Sequence, residues 1–192
     1  MMKVLLPSVL TAFSIIACSS ALAERPPSSF TPSPAACEAA QAALAVVAEK
    51  DSTSLFSKSP PGRASSSLSE LEDSDLQGKW QGQAPRSSTI APLTAALATS
   101  ALKCVDVAAA ASTKGKILED SEGLAQLKAI GFNGRYVFLY RLSMPAFSPR
   151  GDEALVVVSS ASNQLAGGTS LIFLKRIDGR WKVVGRKVLT VS

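Results

Sequence analysis

The last third of the chain has the clearest pattern of hydrophobic and polar positions. Residues 135–143 alternate, which places Tyr136, Phe138 and Tyr140 on one face of a predicted strand. Further strands are predicted at 154–158, 171–177 and 181–191. Asp178-Gly179 between the last two is a two-residue hairpin signal. Together these segments predict a four-stranded antiparallel meander.

The middle strands of this meander are apolar on both alternating faces. Residues 154–158 and 171–174 carry hydrophobic side chains at nearly every position. A strand of this kind is buried on both sides, so helices are expected to cover at least one face of the sheet. Gly167-Gly168 is expected to lie in a loop before the third strand.

Helical periodicity dominates the part before residue 131. Ser33 is a predicted N-cap with Pro34 at the first helical position, opening an alanine-rich helix to about Lys50. A second apolar stretch begins near Pro92, and a short helix is predicted from Ser121 to Ile130, where Gly131 ends it. Segment 51–88, which lies between the alanine-rich helix and the stretch that begins near Pro92, is rich in Ser, Gly, Pro and acidic residues. It is expected to be a long loop.

These elements predict an α+β fold in which amino-terminal alanine-rich helices pack on a carboxy-terminal four-stranded antiparallel meander. The predicted boundaries are a signal peptide at 1–23, a Pro/Ser-rich linker at 24–34 and one α+β domain at 35–192. Within that domain the helical part is 35–131 and the meander is 135–192.

The amino terminus has the pattern of an export signal. Lys3 precedes an apolar run of about 14 residues, which is shorter than the roughly 20 that a membrane-spanning helix needs. Ala21-Leu22-Ala23 fits ordinary signal cleavage, whereas Ile15-Ile16-Ala17-Cys18 is similar to a bacterial lipobox, in which Cys18 would receive lipid. Both alternatives stay open. They predict a periplasmic or secreted protein, or an outer-membrane lipoprotein.

The cysteine count supports a disulfide in either case. Of the three cysteines, Cys18 is lost with the signal or acylated, so that Cys37 and Cys104 remain. Each falls on the apolar face of its predicted helix, and two helices packed through those faces would bring the thiols within bonding distance. In an oxidising compartment such a pair predicts a disulfide worth about 4 kcal/mol.

The absence of histidine narrows the possible chemistry. With no histidine in the chain, the Ser-His-Asp and Cys-His arrangements and the usual zinc-protease site are excluded. Ser100-Ala101-Leu102-Lys103 spells S-x-x-K, but no K-T-G follows, so a helix surface is the better interpretation. The acidic cluster at 70–75 and the pairs at 119–120 and 152–153 are expected to be solvated. No catalytic, metal-binding or cofactor-binding residue is predicted.

Charge is uneven along the chain. The net charge of +5 becomes +4 once Lys3 is lost; residues 24–112 carry 7 basic and 9 acidic side chains, and residues 113–192 carry 12 and 6. No dense basic patch is present, so nucleic acid is not an expected partner. Another protein is the expected partner, with membrane contact only if Cys18 is lipidated.

Several short motifs within residues 135–192 resemble those of known protein families. The motifs are Leu142-Ser143, Phe147-Ser148, Ala154-Leu155-Val156, Leu165-Ala166-Gly167-Gly168, Asp178-Gly179-Arg180-Trp181-Lys182-Val183 and the terminal Ser192. They resemble the tail module of a family of uncharacterised exported bacterial proteins, although the cysteines and Trp-Ile-Ser ending of that family are missing. The closing DGRWKVVG is also similar to the last hairpin of NTF2-like α+β cone folds.

Three functions follow as hypotheses. The first is a non-enzymatic exported protein that acts through protein binding, of the inhibitor or immunity type. The second is an NTF2-like pocket for a small apolar or anionic ligand, with Tyr136, Phe138, Tyr140 and Trp181 as lining candidates. Packing of these four side chains in an ordinary core is the preferred interpretation. The third, a carboxylate-dependent hydrolase, needs two carboxylates about 5 to 9 Å apart in a cleft. An open cavity behind the aromatic face would favour the second.

Overall fold

The first helix begins where its capping residues predict. In the computed structural model, Ser33 accepts a hydrogen bond from the Ala36 backbone through its side chain, and Pro34 occupies the first turn of α1, Pro34–Leu44. A turn follows at 45–47. The helix is therefore shorter than the predicted span to Lys50. The structure describes residues 31–47, 54–61, 79–90, 92–132 and 135–191, so the predicted signal peptide, Cys18 and most of the linker lie outside the described residues.

The described residues form five α-helices, one 3-10 helix and eight strands. The further helices are α2 (Ser87–Ile90), α3 (Leu93–Ala96), the 3-10 helix Ala101–Lys103, α4 (Val105–Ser112) and α5 (Asp120–Ile130). The strands are β1 (Ser54–Ser57), β2 (Gln81–Gly82), β3 (Gly115–Leu118), β4 (Phe138–Leu142), β5 (Ala146–Phe147), β6 (Glu153–Ser162), β7 (Gly167–Ile177) and β8 (Arg180–Val191).

The sheet is larger than the predicted meander. Its order is β2-β8-β7-β6-β4-β1-β3, and β5 pairs with β6. The four predicted strands are β4, β6, β7 and β8, which pair in antiparallel succession. The prediction of only four strands is wrong because β1 pairs in parallel with both β3 and β4. These pairings join segments far apart in sequence, and local alternation does not reveal them.

Two other local predictions need correction and one is confirmed. Gly167 and Gly168 begin β7 rather than forming a loop, since both pair with β6. The segment 51–88, predicted as a long loop, contributes β1 to the sheet, where its four residues are all buried. The Asp178-Gly179 turn joins β7 to β8 as predicted, and both residues have the positive φ that such a turn requires.

Helix α5 matches its predicted span to within one residue. It lies on β1 and β4, where an added Cβ at Gly123 would come within 2.7 Å of a Leu139 methyl carbon. Glycine therefore permits this close packing of helix on sheet. Arg141 donates to both carboxylate oxygens of Asp120 at 2.6 and 3.2 Å, and the Ser57 hydroxyl donates to the same carboxylate. These bonds join α5 to β4 and β1.

Helices cover both faces of the sheet, as the double-sided apolar strands predict. We call the side with α1 and α4 the first face; its core includes Phe56, Val156 and Ile172. On the second face, α3 packs over Leu155 and Phe173. Helix α5 packs on the same face beside β4, where the cluster is Leu55, Leu127, Val137 and Leu139.

The predicted disulfide is present and joins two elements of the first face. Cys37 lies in α1 and Cys104 is the N-cap of α4, with 5.5 Å between the Cα atoms. The apolar stretch that contains Cys104 is not one continuous helix. Leu93 and Leu97 pack on the second face, whereas Ala101 and Cys104 pack on the first. The chain therefore passes from one face to the other near Ser100, which forms an isolated bridge with Ser143.

Candidate ligand-binding cavity

Three aromatic side chains stand in a row on the first face, two of them on β4 and one just before it. Tyr136, Phe138 and Tyr140 alternate along the backbone, so their side chains project to the same side of the sheet. Phe138 stacks with Tyr136 at 6.0 Å and with Tyr140 at 5.8 Å between ring centroids. These distances are typical of favourable offset aromatic pairs. The row makes a continuous aromatic wall on this face of the sheet.

A cavity of about 910 Å³ lies against this wall. The turn after α1, at residues 45–47, forms a further part of the lining, and strands β6, β7 and β8 contribute the rest of the sheet surface. Tyr136 is 53% exposed and lies on the solvent side. The lining residues are Ala45, Val46, Val47, Lys114, Tyr136, Phe138, Tyr140, Val158, Ser160, Gly168, Ser170, Ile172 and Arg186. A volume of this size is within the range of sites that bind small molecules.

The charged groups of the described cavity lining are all basic. Arg186 donates a hydrogen bond to the Ser170 hydroxyl at 3.3 Å, and Lys114 donates to the Ala45 carbonyl at the same distance. No carboxylate belongs to the described lining. The cavity therefore combines an aromatic wall with two cations, a composition that favours apolar or anionic molecules over cations.

The structure separates the four predicted lining candidates. Tyr136, Phe138 and Tyr140 line one cavity together. Trp181 lies elsewhere on the first face, where it is buried against Phe147 at 5.4 Å between ring centroids. Its packing in the core explains why it is not among the cavity residues.

Sequence reasoning missed Arg186, Lys114 and Ser170. The reason is clearest for Arg186, because β8 contains an irregularity opposite Phe173/Leu174. Val183 pairs with Leu174 and Arg186 pairs with Ile172, so both face the first side although they are three residues apart. A β-bulge of this kind inserts one extra residue and changes the phase of alternation. If the side chains of β8 alternated without interruption from Trp181, Arg186 would project to the second face, away from the cavity.

The S-x-x-K motif does not form a catalytic pair. Ser100 is 1% exposed, and its hydroxyl accepts a hydrogen bond from the Leu102 backbone at the start of the 3-10 helix. Lys103 is exposed. The serine is therefore held as a helix cap and is shielded from solvent.

The adjacent carboxylates Asp152 and Glu153 are bound to one arginine. Arg86 and Ser148 hydrogen-bond to Asp152 and lower the pKa of its carboxyl to about 2. Burial raises the pKa of Glu153, but hydrogen bonds from Thr89 and Arg86 outweigh it, so the pKa lies below its ordinary value. Both groups are therefore ionised at neutral pH, whereas acid catalysis needs a carboxyl with a raised pKa.

Glu119 and Asp120 lie at the start of α5, where both take part in hydrogen bonds. The Glu119 backbone is part of a capping box with Glu122. Burial raises the pKa of Asp120, but hydrogen bonds from Arg141 and Ser57 outweigh this effect and leave the pKa below its usual range. The predicted acidic cluster at 70–75 lies outside the described residues. Within the part of the chain that the structure describes, no three potential ligands are placed to hold a metal ion.

A second groove lies on the opposite face, beside α5. It has a volume of about 600 Å³ and is bordered by Leu124, Phe132 and Leu165. These three side chains are exposed, and Leu165 has a positive φ of 57° at the turn between β6 and β7. A leucine in this conformation is uncommon, because its side chain makes the left-handed region unfavourable.

Comparison of the chain with models of protein families, with curated proteins and with solved structures finds no match. The resemblance of the β7–β8 hairpin to NTF2-like folds therefore stays a prediction. Among the described residues, no helix is long and apolar enough to cross a membrane. The Cys37–Cys104 disulfide is typical of proteins that work in an oxidising compartment.

Proposed function

We propose that this protein binds a small apolar or anionic molecule in the cavity beside the Tyr136–Phe138–Tyr140 row. The observation that carries the proposal is the aromatic wall itself, which borders a cavity of about 910 Å³. Tyr140 anchors the wall to the core through Phe56, at 5.9 Å between ring centroids, and Tyr136 at the other end of the row is exposed. Aromatic rings that remain accessible in a concave site offer flat apolar surface to a ligand.

The layout of the first face supports this proposal. Residues of α1 and α4 form one core cluster with Phe56, Val156 and Leu174, whereas the lining residues Ser160 and Ser170 do not belong to that cluster. The same sheet face thus has a covered part and a hollow part. The covered part stabilises the fold, which leaves the hollow part available for binding.

Replacing Phe138 by alanine is expected to weaken ligand binding about tenfold, since one ring of the wall is removed. The probe is N-phenyl-1-naphthylamine, a neutral apolar dye whose fluorescence rises when it leaves water. The matched control is Phe132→Ala, which removes an exposed ring of the second groove on the opposite face. Dye titrations of both variants and the unsubstituted protein measure the effect.

A cavity-filling variant tests the same site without removing the wall. Val158 is 7% exposed and borders the cavity, so Val158→Phe should occupy part of its volume and reduce dye binding. Failure of the dye to bind the unsubstituted protein, or equal binding by all three variants, contradicts the proposed function.

Protein binding remains a second candidate, and the second groove favours it. Its exposed leucine and phenylalanine side chains form an apolar surface, and exposed apolar patches often mark interaction sites. The dye experiment separates the two candidates. Loss of dye binding in Phe132→Ala, with Phe138→Ala unaffected, would favour a surface contact at the groove over a ligand in the cavity.

We also propose that the chain is exported to the periplasm, where it is either released or anchored through lipid on Cys18. The disulfide and the signal-like sequence at 1–23 support export. We expect the intact mass of the mature protein to fit a chain that begins at Glu24, or one that begins at a diacylated Cys18. A mass that includes Met1 would contradict both.

A further inference from the structure

We infer that the ligand of the cavity is a small anionic amphiphile, an elongated apolar body that carries one anionic group, and that Arg186 binds this group. The inference rests on the proposed function and adds the chemical class and orientation of the ligand. It follows from where the aromatic and the charged residues lie on the same sheet face.

Arg186 is placed to receive an anion. Its guanidinium has five N–H donors, and its hydrogen bond to the Ser170 hydroxyl uses one of them. Ser170 is buried, so this bond fixes the position of an otherwise exposed side chain. The planar donor fork of arginine matches the paired oxygens of carboxylate, sulfonate and phosphate groups.

The apolar body belongs on the aromatic side. Phe138 and Tyr140 of the row lie on β4 and Arg186 lies on β8, with β6 and β7 between them. Three strand spacings separate these two strands, or about 14 Å across the sheet. Arg186 is also level with Ile172 and Val156, four residues along β6 from Ser160, the partner of Tyr140, which adds about 13 Å along the strands. A single ring is too short to reach from one group to the other. The geometry therefore favours a fused aromatic body or a medium-length alkyl chain.

The charge around the cavity selects the sign of the head group. Lys114 adds a second positive charge beside the turn after α1, and the described lining contains no carboxylate. A cationic amphiphile would face two like charges in a partly enclosed site, where charges are screened less than on an open surface. An anionic head group bound at Arg186 avoids this repulsion.

Two dyes with the same ring system test this inference. 8-Anilinonaphthalene-1-sulfonate carries one sulfonate on the skeleton of N-phenyl-1-naphthylamine, which is neutral. We expect the sulfonate dye to bind the unsubstituted protein about tenfold more tightly than the neutral dye. Dodecanoate should likewise displace the neutral dye at a lower concentration than dodecanol, which extends the test from aryl to alkyl bodies.

The assignment to Arg186 is tested with a neighbouring residue as control. Arg186→Gln should weaken binding of the sulfonate dye about tenfold and change neutral dye binding less than about twofold. Lys187→Gln removes the same charge one position along β8, where the side chain projects to the opposite face, and should have little effect. In the unsubstituted protein, added salt should weaken binding of the sulfonate dye only.

The outcomes distinguish this inference from the proposed function. If the neutral dye binds in the cavity but neither anionic probe binds more tightly than its neutral counterpart, anion recognition is refuted and the proposed function stands. Equal losses in Arg186→Gln and Lys187→Gln also refute the role of Arg186. If neither dye binds the unsubstituted protein, both proposals fail.

Discussion

Reduction of the Cys37–Cys104 disulfide is expected to lower the free energy of unfolding by about 4 kcal/mol. The two cysteines are 67 residues apart, so the bond closes a long loop and limits the conformations open to the unfolded chain. Because a small domain has only about 5 to 15 kcal/mol of net stability, the loss is a large part of the total. Urea unfolding with and without dithiothreitol measures it.

The double variant Cys37→Ala/Cys104→Ala provides the control, since its unfolding curve should not respond to reductant. A second effect is expected at the cavity. The disulfide holds α1, and the turn that follows this helix supplies Ala45, Val46 and Val47 to the cavity lining. Reduced protein should therefore bind the neutral dye more weakly even below the unfolding transition. Identical curves with and without dithiothreitol would show that the bond does not contribute.

Replacing Glu153 by glutamine is expected to cost about 2 kcal/mol of stability, because a buried carboxylate loses its charge-assisted hydrogen bonds. The Glu153 side chain is 4% exposed and accepts from the Thr89 hydroxyl at 2.7 Å and from the Arg86 backbone at 3.2 Å. The Arg86 guanidinium lies 3.1 Å away. These contacts bind residues 86–89 to the start of β6.

The matched control is Lys182→Gln, which removes one charge from the exposed Lys182–Asp178 pair. Such surface pairs contribute little, so a change below about 0.5 kcal/mol is expected. Urea unfolding at pH 7 compares the two variants. Equal losses of unfolding free energy in the two variants would mean that the buried interactions of Glu153 contribute no more than an exposed ion pair.

The dependence of stability on acidic pH tests Glu153 again, together with its neighbour Asp152. The pKa of Asp152 is lowered to about 2 and that of Glu153 is lowered as well, whereas both lie near 4 in an unfolded chain. A lowered folded-state pKa contributes stability above the unfolded value and loses it as pH falls through the folded one. Stability should therefore decrease from about pH 4 towards pH 2, and less steeply in Glu153→Gln.

Elements whose signals are local were predictable from the sequence. Ser33 and Pro34 give the start of α1 because capping depends on adjacent residues. Asp178-Gly179 gives the last hairpin because the turn selects residues that tolerate positive φ. The alternation of Tyr136, Phe138 and Tyr140 places three side chains on one face, where they line the same cavity.

Elements that depend on distant partners were not predictable. Strand β1 lies between β3 and β4, and its place is fixed by pairing across 61 positions between Ser54 and Gly115. Within its own segment it is four apolar or small residues among polar ones. Glu153 shows the same limit for charge. As one acid after a turn it is typical of a solvated position, and only the packing of Thr89 and Arg86 makes it a buried anchor.

The bond between α1 and α4 also determines how the fold transmits tension. A pull on the chain before α1 reaches Cys37 and passes through the covalent bond to Cys104, so residues 38–103 carry none of the load. Strand β1 belongs to this bypassed length and pairs with β3 and β4. Stretching from the amino end would therefore act first on α4 and the strands after it, which include both pairing partners of β1.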